Sequence, residues 1–569
     1  MTDLAPAADT ARQELLRTAE EALQRLAPDL PPDAAVLLRR LHADVPSAEL
    51  AAIPAETVAE AAASLYAFAE DRVPGRAKLR LLPPGPGRGP HAVAEIVTDD
   101  MPFLVDSALA ALAQQGRVVR QLLHPVLAVR RDAAGRLLAL DPPEAEATGR
   151  ESMMRITLGA APAAMLPGPP GAPAGDWPAL EAALSRAMAD VRLAVSDFPA
   201  MAALLRQAEA EIAPAPTGEP AAAAAFLRWL AEENYVLLGH RRIAVAPDGA
   251  TSVVAAENLG LLRDAGLPVF DVLRDPGSLP AMVRAALADP VPLTVAKANM
   301  RSTVHRPQHA DVVVTRVFSP DGRVTGVRLF LGLFAAAAYN RNPRSIPMLA
   351  QKVDRILAAS GIDPAAHDGR ALRNILDTWP RDELFQASEA EILEGALRVL
   401  DLQIRPRPAL VVRRDPFGRF VSVIAWLPRD TFDTGLRERV GDMLARAFGG
   451  HLSAFYIALD DGPLARVHYI IGTDPGRAVT TETALLEAAV AQAARSFQER
   501  LEEALAAERG EAGAAALLAR WRDAFPAAYR DSATGAQGAA ALALAERVLA
   551  NGRPAAALSR AAGAEGLVL

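Results

Sequence analysis

The stretch TDDMPFLVDS, which begins at Thr98, combines residue types that could bind a small ligand. Asp99 and Asp100 are adjacent acids, and an apolar stripe from Leu104 onward predicts a helix directly after them. The free amides of a first helical turn carry partial positive charge. Such amides can take the carboxylate of an amino acid while an acid takes its ammonium group. We therefore expect Asp99, Asp100 and Met101 to be candidate effector-binding residues, at an interface between subunits in one version of this hypothesis.

A purely structural interpretation of the same stretch is equally open. Asp100 can N-cap the helix, with Pro102 in its first turn, and both acids then serve only as caps. Asp106 is a third acid, but it lies on the predicted helix, where we expect it to face solvent or an arginine. The stretch thus predicts a strand-to-helix corner that either binds an amino acid or is only a well-capped helix start.

The motifs of nucleotide binding and of common enzyme chemistry are missing from the sequence. There is no G-x-G-x-x-G after a strand, no G-x-x-x-x-G-K-[ST] and no G-x-S-x-G. His305 and His309 are closely spaced, but Pro307 opposes the helix that a metal-binding pair at this spacing needs. We expect no catalytic residue, no cofactor-binding residue and no metal ligand in this chain.

Lysine is scarce, and its positions do not suit one familiar reaction. The sequence contains Lys78, Lys297 and Lys352 and no other lysine. Amino-acid dehydrogenase chemistry requires a basic lysine in a glycine-bordered cleft, and none of the three has such neighbours. Lys352 lies on a predicted helix, where we interpret it as a solvated surface residue.

Composition limits the classes of protein that the chain can belong to. Its 569 residues predict three or four domains, and 51% hydrophobic with 22% charged residues is typical of a globular chain. A formal net charge of −8 without a basic block argues against a nucleic-acid partner. The apolar run from Leu329 to Tyr339 is about half of the ~20 residues needed to span a bilayer, so we expect no membrane partner. The absence of cysteine and of a signal peptide predicts a cytoplasmic protein.

Hydrophobic periodicity predicts an α+β, multidomain fold, with two ACT- or ferredoxin-like modules flanking a PAS-like antiparallel sheet and with helical segments. The predicted boundaries are an N-terminal helical segment 1–74, an ACT-like domain 75–195, a PAS-like sheet domain 220–340, a helical connector 341–404, a second ACT-like domain 405–478 and a C-terminal helical segment 479–569.

Three local predictions follow from the residue order. The segment from Asp176 predicts an amphipathic helix, followed by a separate short helix after residue 197. Ser388 and Glu391 have the spacing of a capping box. The segment TWPRDELFQ, residues 378–386, has two interpretations, a functional motif or a tight interhelix turn. We favour the turn, with Asp382 or Glu383 at a helix start and Arg381 paired nearby.

Several stretches, in order along the chain, together carry a family resemblance: DDMPFLVDS, ESMMRI, YVLLGHRRI, RLFLGLF, AYNRNPRSIPML, LRNILDTWPRDELFQ, RRDPFGRFVSVIAWLPRD, ARVHYII and FPAAYR. From about residue 75 to 531 the chain resembles the N-terminal portion of the large-type bacterial NAD-specific glutamate dehydrogenases. The resemblance implies ACT-like and PAS-like domains with helical motifs, ahead of a dehydrogenase domain. Complete members are oligomers that deaminate L-glutamate to 2-oxoglutarate and ammonia with NAD.

The resemblance gives the chain a role without giving it catalytic residues. The glycine-bordered lysine and the dinucleotide fingerprint are not found before the sequence reaches GAEGLVL. We expect a regulatory and assembly portion, inactive alone, that binds an amino-acid effector and associates with its own copies or with a separate catalytic polypeptide. The alternative is a stand-alone amino-acid sensor with the same ACT–PAS–ACT layout. An adjacent reading frame for the dehydrogenase domain would favour the first hypothesis.

Overall fold

The computed structural model describes residues 5–84, 91–159, 176–267, 269–270, 284, 287–415, 418–459, 462–473, 481–521, 523–557, 559–560 and 567–568. The chain divides into two compact units, Met1–Ala350 and Gln351–Leu569. Within the described part, none of the helices combines the length and the apolarity needed to cross a bilayer.

Four helices open the first unit: α1 Ala5–Leu26, α2 Asp33–Leu41, α3 Ser47–Ala51 and α4 Ala55–Ala69. Their apolar faces bury Leu37, Leu38 and Leu65 completely. The same core contains Val97 and Met153 from the first sheet, so these helices cover one face of that sheet.

The first sheet has six antiparallel strands: β1 Lys78–Leu82, β2 Ala92–Asp99, β3 Val118–Leu123, β4 Val126–Arg131, β5 Leu137–Leu140 and β6 Gly149–Gly159. Their order is β1-β2-β6-β4-β5, and β3 also pairs with β6. A ferredoxin-like unit has a last strand beside its first. Here β2 lies between β6 and β1, and the edge position beside it is taken by β1, which precedes β2 in the chain.

Two helices follow the strands of this sheet, α5 Leu104–Gln114 and α6 Trp177–Ile212. The predicted N-cap at Asp100 is wrong: α5 begins at Leu104, its N-cap position is Phe103 in a left-handed conformation, and no side chain caps it. Pro102 accordingly lies in the turn before the helix.

The prediction of two helices around residue 197 is also wrong, because α6 is continuous and contains Pro199. An interior proline costs a helix roughly 3 kcal/mol. Buried residues on both sides of it, Ala194 and Met201 among them, keep one apolar face packed along the whole helix. The helix contacts α5 and β1, and it also contacts strands of the next sheet.

The second sheet is entirely antiparallel: β7 Tyr235–Val245, β8 Thr251–Val253, β9 Leu259–Gly260, β10 Leu293–Arg301, β11 His309–Phe318 and β12 Val324–Phe334. Its order is β10-β11-β12-β7-β8, with β9 paired to β7. The helix α7 Pro220–Trp229 and a π-helical turn Leu230–Asn234 precede β7, and the short helix α8 Ala336–Asn340 follows β12.

The second unit contains a helical segment and a four-stranded sheet. The helices are α9 Leu349–Ala359, which crosses the boundary between the units, α10 His367–Asp377, α11 Arg381–Gln386 and α12 Glu389–Ile404. The predicted capping box of α12 is confirmed, since Ser388 and Glu391 bond reciprocally.

The sheet is built from β13 Ala409–Arg414, β14 Phe420–Pro428, β15 His451–Leu459 and β16 Leu464–Gly472, with the helix α13 Thr434–Ala447 between β14 and β15. Its order is β13-β14-β16-β15. Along the chain its elements follow the order strand–strand–helix–strand–strand. The remaining elements are α14 Thr483–Ala493, α15 Phe497–Trp521, α16 Ala527–Ser532, α17 Gly535–Asn551 and the strand pair β17 Ser559–Arg560 and β18 Leu567–Val568.

Candidate functional site

The strand-to-helix corner holds Asp99 at the end of β2 in a set of ion pairs. Arg72 donates from Nη2 to Asp99 Oδ1 at 2.6 Å, and Arg192 lies 2.7 Å from Oδ2. The backbone amide of Gly75 also donates to Oδ2, at 3.1 Å. Both carboxylate oxygens of Asp99 are therefore already engaged by cations.

A buried ion network lies directly behind Asp99. Arg72 also donates to Glu151 at 2.7 Å, and Arg131 donates to both oxygens of Glu151, at 2.6 and 2.8 Å. Desolvation by burial acts to raise the pKa of Asp99, but the hydrogen bonds and charges of Arg72 and Arg192 outweigh it and lower that pKa. Asp99 stays ionised, and its ion pairs connect Arg72 and α6 to the first sheet.

Asp100 and Met101 lie outside this network. Asp100 is exposed, and its side chain forms no hydrogen bond or ion pair with the other described residues. Its backbone amide donates to the carbonyl of Arg150 at 2.9 Å, which extends the pairing of β2 with β6. Met101 is partly buried in the same turn. Asp100 is therefore the acid of the corner that remains available to a ligand.

Asp106 faces a histidine rather than an arginine. Its Oδ2 lies 2.9 Å from Nδ1 of His305, in the loop before β11. The hydroxyl of Ser107 accepts a hydrogen bond from the amide of His305, and the ring of Phe103 contacts the imidazole at 5.1 Å between centroids. The start of α5 thus contacts the second sheet domain within the first unit, a contact that no local sequence pattern predicts.

A second cluster of ionisable side chains is buried in the second unit. Glu383 of α11 accepts two hydrogen bonds from Arg413 of β13, at 2.6 and 2.7 Å. Nε2 of His468 in β16 lies 3.8 Å from Glu383 and 2.8 Å from the hydroxyl of Ser422 in β14. These four side chains are each less than one-tenth exposed. The contacts fix α11 against the sheet.

The pKa values in this cluster favour a permanent ion pair. Burial alone would raise the pKa of Glu383, but the hydrogen bonds and charge of Arg413 lower it. Burial lowers the pKa of His468, so its imidazole is neutral at pH 7. Charge is therefore confined to the Glu383–Arg413 ion pair, which has a structural role. The interhelix-turn interpretation favoured from the sequence did not include this role. Asp382 and Glu383 do lie in the first turn of α11, and Arg381 donates weakly to the carbonyl of Asp377 at 3.4 Å.

The interpretation of Lys352 as a solvated residue is wrong. It is partly buried, and its ammonium group donates to the backbone carbonyls of Leu384 and Ala387. The carbonyls at the C-terminal end of a helix have no partners within the helix and attract a cation. Leu384 and Ala387 provide such carbonyls at the end of α11. Burial lowers the pKa of Lys352 to about 8.

The chain matches four family descriptions, and they follow one another along it. Residues 37–164 match the glutamate dehydrogenase ACT1 domain, and residues 346–405 match glutamate dehydrogenase helical motif 1. Residues 409–498 match the ACT2 domain, and residues 504–544 match helical motif 2. Over these ranges the chain is similar to the ACT and helical domains of glutamate dehydrogenase. None of these four matches includes residues 165–345, which contain the second sheet.

Curated relatives agree with these glutamate dehydrogenase domains. The chain is 32% identical over 547 residues to the NAD-specific glutamate dehydrogenase of Halomonas elongata, covering 92% of this chain and 33% of the relative. It is 33% identical over 452 residues to that of Pseudomonas aeruginosa, covering 78% and 27% respectively. The corresponding enzyme of Mycobacterium tuberculosis is 28% identical over 472 residues, covering 79% and 27%. The chain thus spans about a third of the length of these relatives.

The buried cluster lies where two matched glutamate dehydrogenase domains meet. Glu383 belongs to helical motif 1, whereas Arg413, Ser422 and His468 belong to ACT2. A second link joins the same pair of domains, because Arg398 of α12 donates to both carboxylate oxygens of Glu487 in α14, each at 2.6 Å. Among the described residues, no group of three or more histidines or acids is placed to hold a metal ion. The cluster fixes helical motif 1 against ACT2, and Glu383 and Arg413 also line a cavity of about 210 Å³.

Proposed function

We propose that this chain is the N-terminal regulatory and assembly portion of an NAD-specific glutamate dehydrogenase. The observation that carries the proposal is the order of the four glutamate dehydrogenase matches, together with relatives of that name aligned over most of this chain. In the complete family enzyme, L-glutamate, NAD and water give 2-oxoglutarate, ammonia and NADH. We assign no catalytic residue, metal ligand or NAD contact to these 569 residues.

We also propose the cellular location of the chain, its association with other chains and the role of its second sheet. It acts in the cytoplasm as a homo-oligomer or with a separate catalytic polypeptide, and it binds neither nucleic acid nor membrane. The second sheet serves as a PAS-like domain between the ACT modules, an assignment supported by its antiparallel order with the long strand β7 inside the sheet. The links between helical motif 1 and ACT2 support a region whose task is to hold domains in a fixed arrangement.

An amino-acid effector at the corner of Asp99, Asp100 and Met101 belongs to the same proposal. Asp99 is neutralised by Arg72 and Arg192, so the exposed Asp100 is the acid that takes the ammonium group. Asp99 then acts indirectly by holding the corner in place. Calorimetry of the full chain with the common amino acids tests this, with Asp100→Ala expected to remove binding. Undiminished binding by Asp100→Ala refutes the assignment.

Recovery of the tagged chain from the cells that encode it tests the assembly role. We expect mass spectrometry to find dehydrogenase-domain peptides with the chain, either in the same polypeptide or in a bound one. Peptides of this chain alone, in a preparation that retains its folded state, would favour the stand-alone amino-acid sensor.

A further inference from the structure

A cavity of about 540 Å³ lies in the first unit, next to the corner but separate from its carboxylates. One wall is α6, with Phe198, Ala202 and Leu205, and another is formed by the π-helical turn and the first residues of β7. Pro102 and Phe103 close the side toward α5. The cavity is therefore bounded by the matched ACT1 domain on one side and by the second sheet on another.

The lining is apolar except at two charged positions. Tyr235 contributes its ring, because its hydroxyl lies within hydrogen-bond distance of two backbone carbonyls, Asp311 at 2.8 Å and Phe330 at 2.9 Å. Arg206 of α6 and Glu233 of the turn are the charged lining residues. Both are exposed, and neither forms an ion pair with another described residue. A cation and an anion therefore border one apolar cavity.

The backbone at this cavity is held in an uncommon conformation. Phe103 and Glu233 both line it, and their φ angles of 72° and 61° are left-handed. Non-glycine residues rarely adopt such angles, and those that do are concentrated at ligand sites and switches. The buried side chain of Asn234 donates to the carbonyls of Trp229 and Glu232, at 2.8 and 3.1 Å, and so fixes the turn that presents Glu233.

We infer that this cavity binds a zwitterionic amino acid with an apolar side chain. Arg206 takes the carboxylate, Glu233 takes the ammonium group, and the side chain enters the apolar space between α6 and β7. Small-molecule sites commonly combine a largely apolar cavity with a few polar groups that set orientation. Charge-assisted hydrogen bonds at the rim supply that orientation here. The inference goes beyond the proposed function, since it does not depend on whether a dehydrogenase is recovered with the chain.

Calorimetry of the full 569-residue chain with L-leucine tests the inference. We expect measurable binding below about 10 mM, and at least ~10-fold weaker binding of glycine, which leaves the apolar space empty. The same loss is expected for 4-methylpentanoate, which lacks the ammonium group, and for 3-methylbutylamine, which lacks the carboxylate. Arg206→Gln and Glu233→Gln should each weaken leucine binding by about 10-fold.

Matched variants separate the cavity from its surroundings. Glu232→Gln changes the neighbouring exposed acid of the same turn and should leave the affinity unchanged. Ala202→Phe fills the cavity and should remove binding, whereas Ala203→Phe places the same ring on the exposed face of α6 and should not. Absence of leucine binding, unchanged binding by Ala202→Phe, or equal binding of 4-methylpentanoate would overturn the inference. So would loss of binding in Asp100→Ala combined with its retention in Glu233→Gln, since the ligand would then lie at the corner.

Discussion

At the scale of single residues, the buried charges of this chain act mainly to hold elements together. Glu383 with Arg413, and Asp99 with Arg72, each join residues that are more than 25 positions apart in the sequence. Removing one partner of a buried pair leaves the other charge uncompensated, and this costs more than the pair itself contributes.

Glu383→Gln should lower the free energy of unfolding of the second unit by roughly 3–5 kcal/mol, because it leaves the Arg413 guanidinium buried without its counter-charge. Urea unfolding followed by tryptophan fluorescence measures this, since the buried Trp379 and Trp426 lie in the same unit. The control is Glu394→Gln, an exposed acid of α12, with an expected change within about 0.5 kcal/mol. Equal effects of the two substitutions would show that the pair has no special role.

His240 gives a pH-dependent stability of defined sign. Burial and the nearby charge of Arg328 lower the pKa of His240 from 6.5 to about 4. The hydrogen bond between Nδ1 and the carbonyl of Glu257, and the charges of Glu257 and Glu211, act in the opposite direction. The unfolded state therefore binds the proton first as pH falls. The stability that neutral His240 contributes is present above pH 6.5 and is lost as pH falls from about 6.5 toward 4.

Between pH 7 and pH 5 we expect His240 to account for about 2 kcal/mol of lost stability. Urea unfolding of the wild type and of His240→Gln at both pH values measures this contribution. The variant should be less stable at pH 7 but lose about 2 kcal/mol less on acidification. Identical pH dependence of the two proteins would mean that His240 does not titrate in this range.

At the scale of elements, the long strands and most helices could be predicted because their own residues determine them. Strands β11 and β12 are runs of Val, Leu and Phe that a central strand buries on both faces. Strand β1 is hard to predict from its sequence because its five residues, KLRLL, are only partly buried and depend on pairing with β2. The start of α5 was misplaced because Phe103 adopts a left-handed conformation and contacts the ring of His305, about 200 positions away, and no local pattern shows either feature.

The capping box of α12 is an element-scale prediction that can be measured. Ser388→Ala should lower stability by about 1 kcal/mol, because the amide of Glu391 loses its acceptor and Glu391 loses one of its donors. Ser388→Asp keeps an acceptor at the N-cap and should restore most of the loss. The urea midpoints of both variants measure the effect. Equal destabilisation by alanine and aspartate would mean that the cap is not what the serine contributes.

At the scale of the whole molecule, the site was less predictable than the fold. Asp99 and Asp100 are adjacent in the sequence, but only the structure separates an acid in two ion pairs from one that is exposed. The Glu383–Arg413 link joins PRDELFQ to RRDPFGRF, which belong to two of the stretches that carry the family resemblance, and no local pattern predicts a contact over 30 positions. For the whole chain, we propose that it acts as a portion of a glutamate dehydrogenase and performs no chemistry by itself.

Glutamate-dependent NADH formation, measured in two preparations of the same chain, tests that claim most directly. The 569-residue chain purified from a host without a glutamate dehydrogenase should show no turnover near 1 per second, a rate typical of enzymes. The tagged chain recovered from the cells that encode it should reduce NAD when L-glutamate is added. Turnover at that rate by the chain alone, or recovery from its own cells of folded chain without this activity, would contradict the account.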